Sequence, residues 1–204
     1  IGGSAAQATH AMNEWWGMQG VGTMPHALIQ LFGGDLLQAC QAYLETYPSD
    51  NLIALVDYHN DVINDSLLVA RHLGDRLYGV RVDTAANMID QYFLNNQHEF
   101  GQEDLRGTNV RLMQCLREHL DQAGFSQVKI IVSGGFDANK IRHFEQQKAP
   151  VDSYGVGSSL LKVHIGFTGD CESLNGVEQA KKGRRYSFNP RLAPVAYPIE
   201  QQQA

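Results

Sequence analysis

The sequence predicts an α/β fold, an incomplete β/α barrel, and three observations carry that reading. Short apolar runs alternate along the chain with stretches of helical periodicity. The runs are continuous rather than alternating in polarity, as strands buried on both faces of a parallel sheet are. The polar and glycine residues capable of chemistry collect at the C-terminal ends of the runs, the face that carries the active site in a β/α barrel. An open doubly wound sheet would satisfy the first two observations equally; the third favours the barrel.

The elements follow in order. The chain opens on Ile1 within "SAAQATHAMNEWW", which reads as helical and as a piece of a longer protein; Trp15 and Trp16 in it suggest core or interface. After His26, the residues Leu28, Phe32, Leu36, Cys40 and Tyr43 recur at spacings of three and four, which predicts one helix running through Gly33-Gly34 to "YPSD". Then come the run "NLIALVD" (51–57), helical "DVINDSLLVARHLG" (61–74) with Asp61 as its N-cap, and the run "LYGVRVD" (77–83). Helical "ANMIDQYFLNN" and "NVRLMQCLREHLDQAG" precede the run "VKIIVS" (128–133), and helical "ANKIRHFEQQ" precedes "VDSYGVG" (151–157). Two regions result: a barrel region, 1–161, and a C-terminal segment, 162–204, whose alternating polarity around Asn175-Gly176 predicts a hairpin in a second small sheet.

Bulk composition bounds the function. The 204 residues are 43% apolar and 19% charged, enough for a sizeable core, and the formal charge of -6 argues against nucleic acid or an anionic membrane as partner. Cys40, Cys115 and Cys171 form no CxxC and the eight histidines show no zinc-ligand spacing. With no disulfide framework indicated, the expected compartment is the cytoplasm, and no run approaches the ~18 apolar residues of a membrane span.

Five stretches carry chemistry. "SGGFDANKI" places Ser133, Gly134 and Gly135 between a buried strand and a helix, where backbone can approach an anion and free amides of the helix N-terminus can donate; a tight turn with Asp137 as N-cap is the competing reading. "SYGVGSSLL" repeats the design with Gly155, Gly157 and Ser158, and two such loops on consecutive strands favour one shared phosphate cradle. In "GVRVDT", Arg81 and Asp83 share a face of an extended segment: the arginine suits a carboxylate and the aspartate sugar hydroxyls, unless the two merely pair with each other. "VDYHND" offers Asp57 at a strand end. His26 follows Pro25 at the mouth of a helix, where a single histidine is ordinarily a solvated side chain.

Taken together and in this order, "GTMPHAL", "VDYHND", "GVRVDT", "KIIVSGGFDANKI" and "VDSYGVGSSL" resemble nicotinate phosphoribosyltransferase from about Gly20 to Leu161, and "FTGD", "AKKGRR" and "NPRL" resemble that family's C-terminal segment. The resemblance implies a type II phosphoribosyltransferase: a barrel of fewer than eight strands, a smaller sheet domain, a homodimer sharing its active sites, and transfer of phosphoribosyl from phosphoribosyl pyrophosphate to nicotinate with Mg²⁺ and ATP as cofactor and co-substrate. It implies that His26 is the residue ATP phosphorylates and that Thr23 lies near nicotinate. Arg81 would stand beside the nicotinate carboxylate, with Asp83 and Asp57 around ribose and magnesium. Gly134, Gly135, Gly157 and Ser158 would grip the 5′-phosphate, with Ser133 beside them. The aromatic and arginine residues with which the family clamps its substrate have no counterpart here.

Rival readings remain open from sequence. A quinolinate-type enzyme would want a cluster of basic residues where Arg81 stands almost alone, and a nicotinamide-type enzyme would need no cation. A barrel aldolase or isomerase would need a Schiff-base lysine or a glutamate base at a strand end, and neither is found. A silent fragment that binds a ligand or partner without turnover belongs to a different class.

Overall fold

The computed structural model describes residues 4, 6–8, 17, 20–162, 166, 171, 173–179 and 188–191. Trp15-Trp16, most of the N-terminal helical stretch, "FTGD" and "AKKGRR" lie outside them, as does Leu192 of "NPRL". The chain divides into two compact units, Ile1–Val163 and His164–Ala204.

The first unit is built on a four-stranded parallel sheet: β1 (Leu52–Leu55), β2 (Leu77–Val82), β3 (Lys129–Val132) and β4 (Ser153–Tyr154), neighbours in sequence order. That progression shows no reversal among the described strands, whereas a doubly wound sheet reverses at its switch point. Helices fill the crossovers: α1 (His26–Leu31) and α2 (Leu36–Thr46) before β1, α3 (Val62–Leu73) between β1 and β2, and α4 (Gln91–Asn95), α5 (Gln97–Phe100) and α6 (Val110–Gln122) between β2 and β3. α7 (Ala138–Gln146) joins β3 to β4. Ala54, Val80 and Ile130, aligned across the sheet, are fully buried among Val69 and Ala70 of α3 and Leu112 and Leu116 of α6. Arg81 and Ile131, aligned on the opposite face, are only half-buried. The apolar runs therefore bury the first face completely, while on the other Leu55 is buried and Arg81 and Ile131 only in part. Gly79 is required within β2: a Cβ there would stand 2.8 Å from the Lys129 carbonyl oxygen.

The helix expected to run through Gly33-Gly34 is two helices. Gly33 and Gly34 adopt φ of 65° and 93°, a conformation that ends α1 and that side chains resist, and the Asp35 carboxylate then accepts from the Gln38 amide to start α2. "ANMIDQYFLNN" turns helical only at Gln91, where the Asp90 side chain caps Tyr92. "VDSYGVG" contributes only two residues of strand. Asp61 stands at the N-cap position of α3, yet its side chain makes no capping bond; the Val62 amide donates to Asp90, from the excursion after β2, at 2.9 Å. Asn60 ties the same two segments, donating through Nδ2 to the Ile89 carbonyl at 2.7 Å. The loops after β1 and β2 are thus one hydrogen-bonded unit.

In the second unit the expected hairpin is present, β5 (Ser173–Leu174) against β6 (Val177–Glu178), with Asn175 and Gly176 both at positive φ. Among the described residues no helix is long and apolar enough to cross a membrane.

Candidate active site

Parallel strands in sequence order bring four loops to one end of the sheet, and each candidate residue lies on or beside those loops. A cavity of about 360 Å³ opens there, lined by Arg81 near the end of β2 and Asp83 just after it, Ser133 to Phe136 after β3, and Gly155 to Ser158 after β4. Ser159 Oγ donates to the Phe136 carbonyl at 2.9 Å, locking the last two loops together. Gly134, at φ 93°, is pressed against the second strand's loop: a Cβ would lie 3.2 Å from Asp83 Oδ1. Gly135 and Gly157 face open space.

A polar chain crosses the rim. Ser133 Oγ donates to Asp83 Oδ1 at 2.8 Å, Arg81 Nη2 stands 3.8 Å from Asp83 Oδ2, and Arg81 Nη1 donates to Thr23 Oγ1. Arg81 Nε is buried without a hydrogen-bond partner among the described atoms. Both readings of the Arg81-Asp83 spacing therefore hold at once: the residues share a face, and they face each other as well as the cavity.

His26 begins α1. Its segment is anchored by buried Met24 and Ile29, the former against Cys40 Sγ. His26 Nε2 lies 3.2 Å from Asp57 Oδ1, with the His26 side chain 45% exposed and that of Asp57 5%. Burial pushes the Asp57 carboxyl above the usual carboxylate range; His26 opposes the shift and the Asp83 charge adds to it. Asp57 and Asp83 are thus close enough to feel each other although they end different strands. His59 is held separately, its Nδ1 2.9 Å from buried Asp65.

Of the two readings of "SGGFDANKI", the capping one is present: Asp137 Oδ1 accepts from both the Asn139 and Lys140 amides at 2.9 Å. Those two amides of the α7 N-terminus are thereby taken by a carboxylate of the chain. Phe136, Val156 and Lys140 join the site although no sequence motif singles them out. Lys140 reaches back from the first turn of α7 to donate to the Gly134 carbonyl at 3.1 Å, with its ammonium 4.2 Å from the Phe136 ring centroid. A lysine one helical turn past a glycine pair was the available signal.

The strand-end cavity brings glycine turns together with Arg81 and Asp83, and Asp57 lies close enough to Asp83 to feel its charge. No family model matches the chain. A solved structure, that of nicotinate-nucleotide pyrophosphorylase from Pyrococcus furiosus, matches with a TM-score of 0.63 and 30% identity over 90% of this chain and 42% of that one. Two curated relatives also match. Nicotinate phosphoribosyltransferase pncB2 of Mycobacterium tuberculosis is 28% identical over 163 residues, 79% of this chain and 30% of its own length. Nicotinate phosphoribosyltransferase of Bacillus subtilis is 27% identical over 169 residues, 80% of this chain and 29% of its own. The chain is similar to nicotinate phosphoribosyltransferases, as its motifs predict, and it spans about 30% of the length of the curated relatives it matches.

Proposed function

We propose that the chain carries the barrel region of a nicotinate phosphoribosyltransferase, which joins nicotinate to phosphoribosyl pyrophosphate to give nicotinate mononucleotide and pyrophosphate. The supporting observation is the convergence at one sheet end of the Gly134-Gly135 and Gly157-Ser158 turns with Arg81, Asp83 and Asp57. The relatives' names support the same reading.

In this reading the ring nitrogen of nicotinate attacks C1′ of the sugar while the bond from C1′ to pyrophosphate breaks, so the sugar carries positive charge in the transition state. Asp83, held by Ser133 and Arg81, stabilises that charge, and its orientation costs nothing at the moment of reaction because those bonds already exist. The glycine turns fix the 5′-phosphate, and Arg81, aided by Thr23, fixes the nicotinate carboxylate. Among the described residues no three acidic, histidine or cysteine side chains gather as a resident metal site, while Asp57 and Asp83 are mutually close, which fits an ion held mainly by substrate phosphates. Mg²⁺ bound in that way would neutralise the departing pyrophosphate.

His26 is the residue for ATP coupling: its ring nitrogen takes the γ-phosphoryl group from ATP, leaving ADP, and water later releases phosphate. A homodimer with a shared active site belongs to the same proposal. The test is mononucleotide formation by the complete polypeptide from phosphoribosyl pyrophosphate and labelled nicotinate, with nicotinamide and quinolinate in parallel. Turnover of nicotinate above both supports the reading; turnover of another base reassigns the substrate, and none with any base leaves a binding protein.

A further inference from the structure

We propose that Lys140 is the charge-neutralising residue of the strand-end cavity, binding the phosphate group that the two glycine turns enclose. The inference rests on the reading of the cavity as a phosphate site and adds a residue to it. Among the cavity's lining residues Arg81 and Asp83 are the ionisable side chains, and at 3.8 Å they offset each other, so the lining offers no net charge to a phosphate dianion. At the N-terminal end of α7, the Asn139 and Lys140 amides are taken by Asp137, whose charge Lys162 also feels. The ammonium of Lys140 meets the need. It stands on the carbonyl of Gly134, a lining residue, and is close enough to lining Asp83 to feel its charge.

The lysine is also poised to change partners. Its Nζ has three donors, and a neutral carbonyl is a weaker acceptor than a phosphate oxygen. The ammonium lies over the Phe136 and Phe144 rings, 4.2 Å and 6.0 Å from their centroids. Partial burial there pushes the Lys140 ammonium below the usual lysine range, with Asp137 and Asp83 pulling it back. The rings thus hold an incompletely solvated cation beside the cavity, where an incoming dianion would complete its solvation.

The phosphate could be the 5′-phosphate of a ribosyl ligand or part of a pyrophosphate, and two probes separate these sources. Lysine acetylation of the complete polypeptide by limiting acetic anhydride, read by peptide mass spectrometry, is compared without ligand, with ribose 5-phosphate and with inorganic pyrophosphate. Selective protection of Lys140 by at least about fivefold is expected, and the more protective probe identifies the group. Calorimetry with the same probes should show Lys140→Met binding on the order of 10- to 100-fold more weakly, the loss of one charge-assisted bond, and Lys140→Arg recovering most of it. Methionine keeps an unbranched side chain of similar length without the charge, so thermal melting separates binding from packing. Equal acetylation with and without both probes, or a folded Lys140→Met of unchanged affinity, overturns the proposal. Failure of nicotinate turnover with Lys140 protection intact would overturn the assigned reaction and leave the phosphate site standing.

Discussion

His26 Nε2 and Asp57 Oδ1 lie 3.2 Å apart, joining the first turn of α1 to the end of β1, and the exposed ring is held by a buried carboxylate. An ionised carboxylate only accepts, so the proton of the neutral imidazole resides on Nε2 and the lone pair on Nδ1.

From that pairing, labelling of the complete polypeptide with γ-labelled ATP and magnesium should give an acid-labile, base-stable phosphoryl group at His26 Nδ1. His26→Ala and His26→Asn should abolish it while some ATP-independent transfer persists. Asp57→Asn should slow labelling on the order of 10²- to 10⁴-fold, since the amide no longer selects the tautomer. Label surviving in both His26 variants would move the acceptor, and His59, held by Asp65, is the next residue to test.

The glycines of the cavity differ in what replacement should do. Gly157 has ordinary φ and nothing within 4 Å of the point where a Cβ would stand, so Gly157→Val should leave stability within about 0.5 kcal/mol and abolish phosphoribosyl pyrophosphate binding. Gly135→Val should abolish binding too, but at φ 68° it should also cost about 1–3 kcal/mol of stability. Calorimetry on folded protein beside thermal melts checks both, and unchanged affinity in Gly157→Val would reduce that loop to a structural turn.

Arg81→Lys should raise the KM for nicotinate at least about tenfold and leave weak nicotinamide use nearly unchanged. A point charge cannot span Thr23 and a substrate carboxylate as the planar fork does. Thr23→Ala should raise the same KM with labelling of His26 intact. Equal effects on both bases would remove Arg81 from the carboxylate.

Asp90 predicts a pH dependence of stability. Its carboxyl is buried and pushed up to about 6, despite the Val62 and Tyr92 amides that favour the ionised form. A folded-state value above the unfolded one means that the folded chain binds the proton more tightly. Relative to Asp90→Asn, stability should therefore fall as pH rises from about 4 through about 6, by up to ~3 kcal/mol. Denaturant melts at pH 4, 5, 6 and 7 measure it; parallel curves for the two proteins would show that the amides cancel burial, and a rise with pH that they outweigh it.

Much of the fold and site was legible because it is encoded locally. Periodicity marks α6 and α7, continuous apolar runs mark β1 to β3, and Asn175-Gly176 marks its hairpin. The rule that loops after parallel strands share one face was enough to expect Asp57, Arg81, Asp83 and the glycine turns together. Local encoding failed where two signals compete. Apolar spacing runs straight through Gly33-Gly34, but the positive φ of both glycines divides the helix, and the Asp61 cap yields to an aspartate distant in sequence.

By itself the sequence determined the strand-helix alternation, the turn glycines and the order of the five motifs, since each depends on side-chain size, polarity or φ preference within a few residues. Only the tertiary structure decided partners. It set His26 on Asp57, Thr23 on Arg81, Ser133 on Asp83 and Asp90 on the start of α3, and it brought Lys140 back to Gly134. Each hydrogen bond depends on a fraction of an ångström between atoms, up to 58 residues apart along the chain, and that distance is fixed by how the strands pack into a sheet.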